Sequence, residues 1–204
     1  MTPGSALTLF LTMVLLAAIP GPGVLVVAGR SASAGLCHGF SVTAGIVAGD
    51  FVFIILALLG LAALADVMGS FFFMVKYLGA AYLLWLGISI AFSKPNDTEL
   101  EKVKLPSHLA SFMAGLVTTL SNPKAILFYV SIFPSLLDLS QFGLTQTAAV
   151  FFITTLAVGG VMLVYAWLAH KAHSSFRSSG GKPLFRYGSG AMLVGSGLFV
   201  ATRG

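Results

Sequence analysis

A chain of 204 residues, 57% apolar and only 8% charged, with a mean hydropathy of +0.98, lies far outside the soluble range and reads as an integral membrane protein. At roughly 20 apolar residues per crossing, that length holds about six spans with short loops and leaves no room for a soluble domain. The net charge of +5 would suggest nucleic acid or an acidic partner in a soluble protein. Here its placement among the loops matters more, and no nucleic-acid partner is expected.

Apolar runs fall at 5–28, 39–64, 69–92, 109–135, 145–169 and 184–201, each long enough to cross about 30 Å of hydrocarbon as a helix. The first begins at Ser5 with no Lys or Arg ahead of it, so the charged n-region of a cleaved signal peptide is missing and the run is read as a retained span. It is split by Ile19-Pro20-Gly21-Pro22-Gly23. A helix interrupted in lipid bares N–H and C=O groups that hydrocarbon cannot satisfy, so the broken stretch must line an enclosed or water-filled cavity. The fourth run is split in the same way by Ser121-Asn122-Pro123-Lys124, 102 residues later. A single proline kink is common in membrane helices, but interruptions at matching positions of two halves point to a transporter's binding site.

Between the runs, Arg30 lies in the first loop, Lys94, Lys102 and Lys104 in the third, and Lys171, Arg177, Lys182 and Arg186 in or beside the fifth. Only Lys76 and Arg203 fall toward the other face, so the positive-inside rule places the odd loops in the cytoplasm and both termini outside. The third loop, 93–108, is rich in charge and proline and reads as a cytoplasmic linker between a three-helix repeat at 1–92 and a second at 109–204. An odd number of spans per half inverts the second half relative to the first. A sequence echo supports the duplication: Lys76-Tyr77, Ala81, Leu83 and Gly87-Ile88 match Arg186-Tyr187, Ala191, Leu193 and Gly197-Leu198 at a constant offset of 110. The predicted fold is therefore an all-α integral membrane protein of six transmembrane helices in two inverted repeats, with broken first and fourth helices.

Asp50 falls near the middle of span two, where an ionised carboxylate costs about 2.5–3.5 kcal/mol on insertion scales. It is the sole acid deep in any predicted span, and Lys124 beside the second break is its natural partner. Such a pair serves either to hold the halves together or to bind cargo. Helical turns restarting after Pro20-Gly21-Pro22 and after Asn122-Pro123 turn free N–H groups and positive dipole ends toward the cavity, which suits a carboxylate. A zwitterion would then be held at both ends.

The other residues of note carry less. Tyr77, Tyr82, Trp85, Phe128 and Tyr129 either wall the pathway or face lipid, and Trp167 reads as an interfacial anchor. His38, His108, His170 and His173 map to the cytoplasmic side and read as solvated loop residues ahead of metal ligands, and lone Cys37 as a small apolar filler. No metal or cofactor is expected. Gly45 and Gly49 give a small-xxx-small spacing, read as tight packing within the chain ahead of a dimer seam, with a homo-oligomer left open.

Pro20-Gly21-Pro22, the glycines 35, 39, 45 and 49 before Asp50, the stretch Ser121-Asn122-Pro123-Lys124-Ala125-Ile126-Leu127-Phe128 running on to Phe133-Pro134, and Lys76-Tyr77-Leu78-Gly79-Ala80-Ala81-Tyr82-Leu83 together resemble the lysine exporter (LysE) superfamily, specifically its homoserine/threonine (RhtB) branch. The resemblance covers essentially the whole chain. It implies amino-acid efflux across a bacterial cytoplasmic membrane by a proton antiporter, with Pro20, Gly21, Pro22, Asp50, Asn122, Pro123 and Lys124 on the substrate and proton pathway. Two departures shape the expected cargo. Many relatives carry an amide or acid after the Pro-Gly-Pro, where this chain has Gly23. Basic-amino-acid exporters carry an acid where it has Phe128, so a dicationic cargo lacks a counter-charge and a neutral amino acid, homoserine/threonine- or leucine-like, is preferred. The alternative is a metal or inorganic-ion exporter of the same superfamily, which would want several acids, thiols or imidazoles at one depth. An intramembrane enzyme would need paired acid/base groups that are not visible, so no catalytic residue is assigned.

Overall fold

The computed structural model describes residues 1–59, 107–137 and 143–177, with isolated positions at 77, 81, 84, 85, 88, 191, 194, 195 and 198. Apart from those positions, predicted spans three and six lie outside these residues, as do most of the linker and Tyr82. All regular structure among the described residues is helical.

The first span is two helices, α1 (Pro3–Ala18) and α2 (Pro22–Ala34), bent by 64° at the Pro-Gly-Pro. Each piece starts as its sequence dictates. Thr2 caps α1 by accepting from the Ser5 N–H at 3.1 Å, and a proline occupies the first turn of both helices, where its missing N–H costs nothing. Gly35, at φ +98°, ends α2 and starts α3 (Leu36–Leu58). That left-handed conformation suits glycine, and it shrinks the expected first loop to one residue. Arg30, expected in that loop, therefore sits on α2 with 1% exposure.

Ser107 caps α4 (His108–Leu120) by accepting from Ala110, and the fourth span then breaks at Ser121-Asn122. It resumes as α5 (Pro123–Leu127), a π-helical stretch Phe128–Ile132, and α6 (Phe133–Leu136). The fifth span runs from α7 (Leu144–Thr154) through a second π-helical stretch, Thr155–Gly159, into α8 (Gly160–Arg177). Leu36–Leu58 and Leu144–Ala172 are each long and apolar enough to cross a membrane, and α1 with α2 forms a broken third span. Leu7, Leu11 and Leu15 form an exposed stripe at every fourth residue of α1, as a lipid-facing helix requires.

The α3–α4 seam sets the height of everything else. A Cβ on Gly45 would fall on the Phe112 carbonyl oxygen, one on Gly115 on the Val42 carbonyl oxygen, and one on Gly49 against Thr119. Backbone thus meets backbone with no side chain between, the close approach that small residues permit. Gly45 and Gly49 pack inside the chain. The contacts of 38 with 108, 45 with 112 and 116, 115 with 42 and 46, and 49 with 119 keep an offset of about 70, so the two helices run parallel and in register. That register brings Asp50, one residue past Gly49, level with the break that follows Thr119.

At the start of the seam the two helices exchange hydrogen bonds. His38 Nδ1 pairs with Ser111 Oγ at 3.0 Å, His108 Nδ1 pairs with Ser41 Oγ at 2.9 Å, and the two rings stack at 4.3 Å. His38 is 6% exposed, which corrects the expectation of a solvated loop residue: with the loop reduced to Gly35, it falls on the packed face of α3. His170 likewise buries its Nδ1. Cys37, expected as a filler, is instead exposed. Trp167 is half exposed, with the Lys171 ammonium over its ring at 4.9 Å, as an interfacial anchor would be.

Candidate functional site

Two buried apolar clusters fill the described core. One gathers Val24, Val27, Val42, Ile46 and Met162, and the other Leu9, Met13, Phe53, Tyr129 and Phe133. Between them lies a cavity of about 70 Å³, several times the roughly 10–15 Å³ that one water needs. It is walled by Met13, Leu16 and Ala17 of α1, by Gly21, Gly23 and Val24 at the first break, and by Ile46 and Asp50 of α3. Thr119, Asn122, Lys124, Ala125, Phe128 and Tyr129 add the second break, and Val158 and Met162 close it from the fifth span. Both breaks therefore line one cavity.

Of the residues singled out from sequence, Gly21, Asp50, Asn122, Lys124, Phe128 and Tyr129 face this space. Pro20, Pro22 and Pro123 do not line it. Pro20 is exposed, and the three act on the backbone by ending one helix or starting the next. Tyr77, read as either a pathway wall or a lipid-facing residue, is 55% exposed and is not among the lining residues. Gly23, one of the two departures from family pattern, also borders the cavity, and a Cβ there would touch Ile46 Cδ1 at 3.4 Å.

Asp50 and Lys124 share the cavity but take other partners. The Lys124 ammonium donates to the carbonyls of Leu16 at 2.7 Å and Ile19 at 3.0 Å, and the Tyr165 hydroxyl donates to that of Ala18 at 2.8 Å. These are carbonyls freed where α1 stops, and side chains from two other spans replace the missing N–H donors. The ammonium packs beside Gly21, where a Cβ would stand in ordinary van der Waals contact at 3.7 Å from Nζ. Asn122 Oδ1 accepts from the Lys124 N–H at 3.1 Å, so one donor of the second break is taken by its own cap, whereas α2 starts at Gly21 without a side-chain cap.

Asp50, 4% exposed, instead accepts a hydrogen bond from the Tyr129 hydroxyl, and its Oδ2 is buried with no hydrogen-bond partner. The expected direct pair gives way to two separately held charges. Lys124 is drawn to the carbonyls of α1 because they have no other donor, which leaves Asp50 open on one oxygen. Replacing Lys124 with Met strips two carbonyls of a donor, each worth about 1–3 kcal/mol when buried. Lys124→Met is expected to lower the unfolding temperature of the detergent-solubilised protein in a thermal-shift measurement, with Lys124→Arg recovering part of the loss.

A translocator-family model, described as LysE type translocator, matches residues 14–204. The chain belongs to the LysE-type translocator family. Membership makes it a membrane transporter rather than an enzyme. It is 41% identical over 194 residues to an uncharacterised membrane protein of Synechocystis, covering 95% of this chain and 94% of that protein. It is also 34% identical over 161 residues to the leucine efflux protein of Klebsiella pneumoniae, covering 78% and 74% of the two chains. The leucine efflux protein of Enterobacter sp. is 35% identical over 150 residues, covering 72% and 69%. No solved structure matches.

Proposed function

We propose that this LysE-type translocator exports a neutral, aliphatic amino acid of leucine-like size across the bacterial cytoplasmic membrane, by proton antiport. The observation that carries this is one cavity that, among the described residues, holds a single carboxylate, Asp50, and a single ammonium, Lys124, that do not neutralise each other, with apolar walls between the helix breaks. Those charges match the ends of a zwitterion. The substrate ammonium goes to the Asp50 carboxylate, and its carboxylate to Lys124 and the uncapped N-terminus of α2. The side chain meets Met13, Leu16, Val24, Ile46, Phe128 and Met162, an apolar surface that supplies no second acid to a lysine ammonium. The relatives named leucine efflux proteins support the aliphatic choice over the hydroxylated one.

Coupling follows if Asp50 takes substrate from the cytoplasm when ionised and a proton from outside on the return. The two access states then differ in which ligand that carboxylate holds, as antiport requires. Inverted repeats with both termini outside and 93–108 in the cytoplasm are the topology that serves this cycle. A metal or inorganic-ion cargo, the rival reading, would have one carboxylate among the lining residues to replace its hydration shell.

Cells overproducing the chain and preloaded with labelled leucine, threonine, homoserine or lysine provide the test. Leucine is expected to leave several times faster than from control cells, threonine and homoserine more slowly, and lysine at the control rate. Equal rates for all four overturn the assignment, and faster lysine efflux overturns the neutral cargo.

A further inference from the structure

Tyr129 is placed by the fold with unusual thoroughness for a side chain that bears on a transport cavity. It lies in the π-helical stretch Phe128–Ile132, where i→i+5 bonding takes up an extra residue and turns the following side chains away from their regular α-helical directions. Its ring is clamped by three others: Phe128 at 4.9 Å and 76°, Phe133 at 5.5 Å and 55°, and Phe53 of α3 at 5.6 Å. The clamp carries the hydroxyl to the Asp50 carboxyl group. On the far side of that hydroxyl is Thr154, the last residue of α7 before the second π-helical stretch, which hydrogen-bonds Tyr129 and stands 3.5 Å from Met13 Sδ. Asp50, Tyr129 and Thr154 are 4%, 2% and 0% exposed, so water does not compete for the chain of bonds.

A carboxylate on its own turns about a broad, two-fold terminal torsion and presents either oxygen to a ligand. Tethered to a rigid phenol, it keeps one orientation.

We propose that Tyr129 is the positioning residue for Asp50: its hydroxyl, backed by Thr154, fixes the orientation in which the carboxylate meets the ammonium of the substrate at the cavity wall. The proposal rests on the amino-acid reading above. It also assigns a purpose to the first π-helical stretch, which supplies Tyr129, while Thr154 stands at the edge of the second. Tyr129 acts through Asp50 and needs no contact with the cargo. Among the described residues, the titratable groups bordering the same space besides Tyr129 itself are Asp50 and Lys124, and Lys124 is engaged on the α1 carbonyls.

The test uses the full chain in proteoliposomes, with labelled leucine as the probe. Tyr129→Phe removes one hydroxyl and keeps the ring clamp. It is expected to raise the KM for leucine about tenfold, the worth of one hydrogen bond to a charged group, with Vmax and folded yield near the parent's. Thr154→Val, two bonds from the cargo, is expected to raise KM about threefold and guards against a misfolded Phe variant. On an Asp50→Asn background, Tyr129→Phe is expected to add nothing to the loss of residual leucine binding, because the group it positions is gone. A further tenfold loss on that background overturns the proposal. An unchanged KM in both Tyr129→Phe and Thr154→Val, with Asp50→Asn inactive, overturns it too and leaves the amino-acid reading standing. Parent-like transport by all three variants, Asp50→Asn included, overturns that reading as well.

Discussion

Asp50→Asn is expected to abolish leucine movement driven by an imposed pH gradient in proteoliposomes, while the protein folds at parental yield or better. Asparagine keeps the shape of the side chain and its hydrogen bond to Tyr129, and it removes the cost of a buried carboxylate. What it cannot keep is charge. A charge-assisted hydrogen bond to a substrate ammonium is worth about 1.5–3 kcal/mol, which is on the order of tenfold to more than a hundredfold in affinity. The gradient-coupled component falls further, because an amide carries no proton between the two sides. Gradient-driven uptake at the parental rate by Asp50→Asn would remove both roles from this residue. Retained substrate exchange with loss of gradient coupling would separate them, assigning the proton to Asp50 and the ammonium elsewhere.

The second large effect is structural, and it comes from the α3–α4 seam. Gly45→Leu or Gly115→Val puts a side chain where the facing backbone already stands, against the carbonyl oxygens of Phe112 and Val42 respectively. Backbone cannot swing aside as a flexible side-chain tip can, so the helices must separate or slide, at a cost above the 1–3 kcal/mol typical of an overpacked core. Both variants are expected to lose the monodisperse peak when detergent extracts are run on a size-exclusion column. Gly160→Ala is the contrast: a Cβ there meets nothing within 4 Å. It should keep the peak and gain up to about 1 kcal/mol from helix propensity. A normal profile for Gly45→Leu would show that the seam is looser than the close approach implies.

The candidate site was legible in sequence wherever its chemistry is expensive in hydrocarbon. Asp50, Lys124 and the proline-broken stretches at 19–23 and 121–124 stand out because a charge or an unpaired carbonyl in lipid must be compensated. Asp50, Lys124, Gly21, Gly23 and Asn122 border the cavity, while Ile19, Ser121 and the prolines do not. Tyr129 and Tyr165 were not legible in the same way. An aromatic residue is cheap at any depth, and which face it takes depends on a π-helical stretch in one case and on the angle of the broken α1 in the other. The partner of Lys124 was misjudged for a related reason. Opposite charges attract on paper, but the carbonyls of Leu16 and Ile19 had no other donor, and that need is local to the bend. His38 and Arg30 show the converse error, since a hydropathy reading ends a span at its first polar residues while the helix and its packing continue to Gly35.

Sequence by itself determined that this chain lives in a membrane, where its helices must break, and which two charges had to be explained. Each of these follows from the solvent, because lipid prices every polar group the same way whatever the fold. Tertiary structure alone decided that both breaks open on one cavity, that Asp50 and Lys124 remain apart within it, and that a tyrosine holds the carboxylate. Those outcomes depend on helix register, and the register is set by glycines on α3 and α4 whose meaning appears only when the two backbones touch.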